Sequence, residues 1–236
     1  MKILAFDSTA KVASVAVSED ERILAAYSID NGLTQSELLL PMAEAAIKAL
    51  RLSFSDVGAY AVTVGPGSFT GVRIGVSLVK GLAFGRGVPC IEVSTLEALA
   101  ENMRGIDAIV VPCMDARRAQ VYTAIFSSEG GEITRLTEDS ALPITELYYM
   151  LSAHENKNIY LVGDGYDVAY KQLAAMGLKG ICATPELLRA QNAASVAKVA
   201  KRMLDMGKYT TDEQLAPIYL RMPQAERERL ERENKK

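Results

Sequence analysis

The sequence predicts an α/β protein in which one βββαβα unit is followed by a second. The order of strand-like and helix-like segments runs through the chain twice. Each half opens on an apolar strand that ends in an aspartate, Asp7 in the first and Asp115 in the second. Each of these strands leads into a hairpin, with its tip at Glu19-Asp20-Glu21 in one half and Ser127-Ser128-Glu129-Gly130-Gly131 in the other. The halves share order and spacing, with little residue identity.

In the first half, Lys2–Phe6 reads as a strand and Asp7-Ser8-Thr9-Ala10 as a turn. Val12–Ser18 and Arg22–Ser28 are the next two strands. A helix is expected from about Gln35 to Arg51, because Leu38, Leu39, Met42, Ala45, Ala46 and Ala49 recur on one side. Pro41 either marks its true start or bends its first turn. A buried strand at Ala59–Val64, a helix from Thr70 to about Gly85 and a short strand at Pro89–Val93 follow. Ser94 or Thr95 then caps a helix over Leu96–Met103.

In the second half, Ile109–Met114 is an apolar strand, Ala116-Arg117-Arg118 a turn, and Ala119–Phe126 and Glu132–Leu136 two further strands. Helices are expected near Ile144–Ala153 and Asp167–Met176, with strands at Asn158–Val162 and Gly180–Cys182. An amphipathic helix, Asn192–Met206, carries Val196, Val199, Ala200 and Met203 as its apolar stripe. These elements divide the chain into subdomains at 1–104 and 105–220, with a charge-dense tail at 221–236. Arg227–Glu231, Glu228–Arg232 and Arg229–Glu233 are i,i+4 pairs that suit a solvated helix in that tail.

Composition narrows the function. A chain of 236 residues, 49% apolar, forms one large domain or two small ones. A net charge of −3 leaves no electrostatic footprint for nucleic acid. Cys90, Cys113 and Cys182 are far apart and odd in number, which argues for buried free thiols rather than disulfides. No apolar run has membrane-spanning length, and Asp7 interrupts the apolar start too early for a signal peptide. A soluble cytoplasmic protein is expected.

The most informative run is Val64-Gly65-Pro66-Gly67-Ser68-Phe69-Thr70-Gly71-Val72-Arg73-Ile74-Gly75. A glycine-rich strand-to-helix turn aims backbone N–H groups and a helix start at whatever lies in front, which suits an anion. It is not a Walker A loop, since no Lys follows Gly71, and its glycines are spaced too long for G-x-G-x-x-G. The plainer reading is a tight turn whose glycines permit close packing.

His154 is the single histidine, so a zinc site and H-E-x-x-H chemistry are not expected, and no G-x-S-x-G elbow supports a hydrolytic triad. A duplicated βββαβα unit is the architecture of the actin, sugar-kinase and Hsp70 ATPase group; the alternative is two unrelated α/β modules, each with a mixed sheet, and both place an aspartate at the strand ends Asp7 and Asp115. Asp7-Ser8-Thr9 resembles that group's first phosphate loop and forms a vestigial nucleotide site. The second loop, Asp115-Ala116-Arg117, lacks the glycine and hydroxyl, and Gly163-Asp164-Gly165 is a poor adenosine loop. The fold expected is thus a degenerate actin-like, Hsp70-like ATPase fold with no resident cofactor.

The helix after the glycine run is lined with small residues, Gly71, Gly75, Ser77, Gly81, Ala83 and Gly85. Each interior glycine costs about 1 kcal/mol relative to alanine, and close approach of another helix would offset it. That helix is either internal, such as Gln35–Arg51, or belongs to another chain. The docking face expected comprises Gly71, Ile74, Gly75, Leu78 and Leu82 with Leu38, Leu39, Met42 and Ala45.

Met1–Thr9, Ser36–Met42, Gly65–Gly75, Val93–Leu96, Met114–Arg117 and Pro217–Arg221 stand in the order seen in the TsaB (YeaZ) family, which the chain resembles outside its tail. Gln35 occupies a place where members often carry His. The resemblance implies a non-catalytic subunit of bacterial tRNA modification. It implies pairing with the paralogue TsaD, and work alongside TsaE and TsaC to place N6-threonylcarbamoyl on adenosine 37. It also implies a homodimer when alone, through the same surface, with tRNA met only through the complex. Rival readings are a small actin-fold ATP-dependent kinase, which Asp7 would serve, and a metallopeptidase, which one histidine disfavours.

Overall fold

The computed structural model describes residues 1–221 and contains two sheets. The first is built from β1 (Lys2–Asp7), β2 (Ala13–Glu19), β3 (Arg22–Ile29), β4 (Ala59–Gly65) and β5 (Cys90–Ser94), in the order β3-β2-β1-β4-β5. β1 runs antiparallel to β2 and parallel to β4, and β4 runs parallel to β5. β1 is buried on both faces, which explains its unbroken apolar run. Leu4 and Phe6 face one core with α1 (Gln35–Ala49) and α2 (Phe69–Ala83). Ile3 and Ala5 face the other, filled by α6 (Ala193–Asp205).

α1 begins at Gln35, where Glu37 Oε2 accepts from the Thr34 backbone N–H at 3.0 Å and the Thr34 hydroxyl at 2.6 Å. Pro41 therefore lies inside the helix rather than at its start, at an exposed position.

The second sheet has seven strands. β6 (Ala108–Asp115) is central and lies parallel to β11 (Ile159–Val162), which pairs β12 (Ile181–Cys182). The single strand expected over Ala119–Phe126 is two, β7 (Gln120–Thr123) and β8 (Phe126–Glu129). The break has a physical cause. The Ile125 N–H donates to the Thr137 hydroxyl at 2.8 Å, and its carbonyl accepts from Leu136 N–H at 2.8 Å. β8 consequently pairs the first half of β6, and β7 the second half. The hairpin tip shrinks to Gly130-Gly131, both at positive φ, between β8 and β9 (Glu132–Arg135). β10 (Ser140–Pro143), not foreseen from the sequence, is an edge strand on β7, where a terminal proline is tolerated.

α4 (Ile144–Ser152) and α5 (Tyr166–Ala175) pack on this sheet, and α3 (Thr95–Glu101) lies between the sheets. The two sheets separate near residue 104, but the chain after Gln191 returns to the first. α6 packs on β1, β2 and β5, Thr210 bridges Cys90, and Leu215 enters the first core. Space and sequence thus divide the molecule differently. Among the described residues, no helix is long and apolar enough to cross a membrane. The charge pairs expected in the tail lie outside the described residues.

Candidate functional site

The C-terminal ends of β1, β4, β6 and β11 converge on a cleft of about 560 Å³ between the two sheets. In parallel sheets this is where ligands are ordinarily met. Thr9–Lys11 follow β1, Gly67–Phe69 join β4 to α2, Asp115–Arg118 follow β6, and Asp164 follows β11.

The first loop is bonded to itself and to α2 rather than opened to the cleft. Asp7 is fully buried, and its Oδ1 accepts from Thr9 N–H at 2.9 Å and Thr9 Oγ1 at 2.7 Å. Burial pushes its pKa up to about 6 against the hydrogen bonds from Thr9. Among the described residues Asp7 Oδ2 has no hydrogen-bond partner, and it is closed to solvent. The buried Ser8 hydroxyl donates to Gly71 O at 2.8 Å. Of the vestigial phosphate loop expected from Asp7, Ser8 and Thr9, only Thr9 reaches the cleft wall. Gln35 braces the same loop, its Nε2 donating to Ala10 O at 2.8 Å and Lys11 O at 3.1 Å.

The glycine run serves packing. Ser68 N–H donates to Thr9 O at 2.7 Å instead of pointing to an anion. A Cβ on Gly67 would lie 2.6 Å from Thr9 O, and one on Gly71 only 1.9 Å from Ser8 O. Gly71 and Gly75 therefore admit the β1 loop and Val62, and among the described residues the nearest atoms to each belong to no second helix. The expectation that these glycines line a helix-to-helix surface is corrected on that ground. Gly81 faces open space.

In the second half, Asp115 Oδ1 accepts from Arg117 N–H at 2.7 Å, and Oδ2 lies 3.3 Å from the Arg117 guanidinium. Asp164 Oδ1 accepts from Asp115 N–H at 3.2 Å, and burial raises the Asp164 pKa against that hydrogen bond, with the negative charge of Asp115 adding a smaller rise. Among the described residues, no group of three or more His, Cys, Asp or Glu could hold a metal. The Asp7 carboxylate is sealed beneath the Thr9 turn, and Asp115 is paired with the exposed Arg117.

The docking residues expected from the sequence split into two sets. Leu38, Leu39 and Met42 are buried in the first core together with α2, so they cannot line a free surface. The 3.6-residue period shows which face of α1 is apolar, and that face meets the sheet. Ala45 is exposed, while Ile74, Leu78 and Leu82 are part-buried and part-open on α2. Leu40, to which the sequence reading gave no role, is 37% exposed. Sequence reading also gave no role to Arg73, whose Nε donates to the Tyr219 hydroxyl, or to Arg221, which lines the cleft. The compact aromatic-and-basic run Pro217-Ile218-Tyr219-Leu220-Arg221 was the visible signal.

This topology, two sheets flanking a cleft with aspartates at the ends of β1 and β6, defines the actin-like ATPase fold. Component A of (R)-2-hydroxyglutaryl-CoA dehydratase from Acidaminococcus fermentans shares the fold at a TM-score of 0.50, with 12% identity, over 87% of this chain and 99% of that one. Residues 34–229 match the family model of TsaD, tRNA N6-adenosine threonylcarbamoyltransferase. The tRNA threonylcarbamoyladenosine biosynthesis protein TsaB of Bacillus subtilis is 31% identical, covering 96% of both chains. TsaB of Escherichia coli is 30% identical over 94% of this chain and 95% of its own. YeaZ from Pseudomonas aeruginosa superposes with a TM-score of 0.76 at 27% identity, over 93% and 99% of the two chains. The chain belongs to the TsaB family.

Proposed function

We propose that this chain is a non-catalytic subunit in the biosynthesis of N6-threonylcarbamoyladenosine in tRNA, docking a TsaD-type paralogue and supporting its transfer reaction. The observation that carries this reading is the closed first loop. The Asp7 carboxylate and the Ser8 hydroxyl, which an ATPase would need in the cleft, are both buried and bonded within the chain. Such a body keeps the scaffold and gives up bond cleavage, so its contribution is a surface.

That surface is the open side of α1 and α2, with Leu40, Ala45, Ile74, Leu78 and Leu82. Apolar side chains half-exposed on a helix find fuller burial against a partner. The same surface serves a homodimer of the isolated chain and the TsaD heterodimer in turn. TsaE and TsaC belong to the pathway rather than to this contact, tRNA is met through the assembly, and the setting is the cytoplasm.

The test is reconstitution of tRNA modification with TsaC, TsaD and TsaE, with this chain native, omitted, or carrying Leu78→Arg. Modification is expected to need the native chain and to fall with Leu78→Arg, alongside loss of TsaD capture. Full modification without the chain would overturn the reading, as would turnover of ATP by the chain alone.

A further inference from the structure

The chain after α6 does not simply trail away. Thr210 exchanges backbone hydrogen bonds with Cys90 at 2.8 and 3.0 Å, and Lys80 Nζ donates to Glu213 O at 2.9 Å and Leu215 O at 3.0 Å. Ile218 N–H donates to Val64 O at 2.8 Å, beside Gly65, where a Cβ would meet Ile218 O at 2.4 Å. Tyr219 packs on Phe69 with ring centroids 5.1 Å apart, and its hydroxyl accepts from Arg73 Nε at 2.7 Å. Up to Tyr219, every one of these contacts belongs to the first sheet and its helices.

The next two residues change sides. Leu220 packs into the cluster that holds Val110, Met114 and Tyr122 of the second sheet. The Arg221 guanidinium donates to Ala116 O at 3.3 Å and to Gln120 Oε1, and lies 5.8 Å from the centre of the Tyr122 ring. Arg221 also forms part of the cleft wall. The strap is thus anchored in one lobe by backbone bonds and ends in the other on a forked cation. A planar guanidinium reaches two acceptors at once in a fixed geometry, which a flexible ammonium does not.

We propose that Leu220 and Arg221 form a clasp that holds the two lobes at one fixed cleft opening. Elsewhere the lobes meet through α3, through Ala10 packed on the cluster that holds Met114 and Tyr122, and through the Ser94 hydroxyl, which donates to Asp139 Oδ2 at 2.6 Å; packed bodies joined by such small contacts permit hinge rotation. The clasp adds a hydrogen-bonded attachment at the cleft rim and restricts that freedom. This inference concerns the mechanics of the chain and stands independently of the docking reading.

The experiment measures an interlobe distance in the full chain. Spin labels go on cysteines placed at Thr70 of α2 and Glu146 of α4, both exposed, in a Cys182→Ser background. The native chain is expected to give one narrow distance distribution. Arg221→Ala is expected to broaden it and add a second population. Arg221→Lys, which keeps the charge and loses the fork, broadens it less and serves if the alanine variant fails to fold. Arg117→Ala lines the same cleft but contacts only its own lobe, and is expected to leave the distribution unchanged. A folded Arg221 variant with the native distribution would overturn the clasp, and so would equal broadening by Arg117→Ala.

Discussion

The Ser8 hydroxyl donates to the Gly71 carbonyl at 2.8 Å, and the Ser8 carbonyl sits where a Gly71 side chain would begin. This one contact fastens the loop after β1 to the first turn of α2. It explains why glycine is required at position 71.

The glycines of α2 therefore separate by what they touch. Gly71→Ala places a methyl 1.9 Å from backbone oxygen, which has no rotamer by which to yield. A loss of about 3 kcal/mol is expected, at the upper end for overpacking. Gly81→Ala meets open space on an exposed helical position and is expected to gain about 1 kcal/mol. Urea unfolding of both variants checks this; changes of the same sign would refute the distinction.

Asp7 gives a pH dependence of defined sign. Its carboxyl titrates near 3.8 when unfolded and near 6 when folded, so between those values the folded chain holds the proton more tightly. Stability from this group is full below the unfolded value and is lost as pH rises through the folded one. The shift corresponds to about 3 kcal/mol. Asp7→Asn removes the titration and keeps the shape. The advantage of the variant over the native chain is expected to grow by up to about 3 kcal/mol from pH 4 to pH 8. Denaturation curves for both proteins at those pH values decide it, and a constant difference would show that Asp7 is not held this way.

The cysteines differ in access. Cys90 and Cys113 are fully buried, and desolvation pushes their thiols up to about 11 and about 12. Cys182 is partly exposed at the end of β12. A disulfide-exchange reagent at pH 8 is expected to modify Cys182 alone in the native protein, and the other two only on unfolding. Mapping the modified peptide by mass spectrometry tests this, with rapid native labelling of Cys113 as the contrary result.

The sequence by itself determined the strands and helices of the first half, the aspartates at the ends of β1 and β6, and the absence of any second histidine. These are local or countable properties: periodicity, turn chemistry and inventory act over a few residues. The tertiary structure alone decided which apolar face is core and which is free. Leu38 and Leu78 are both leucines on apolar helical stripes, but only the sheet's position seals one and leaves the other half open. It also decided that Ile125 breaks a strand, because the partner is Thr137, and that α6 belongs to the first lobe. Arg221 shows the limit most directly: its acceptors, Ala116 O and Gln120 Oε1, lie about a hundred residues away. Such contacts depend on the path of the whole chain, and no short window of sequence carries that information.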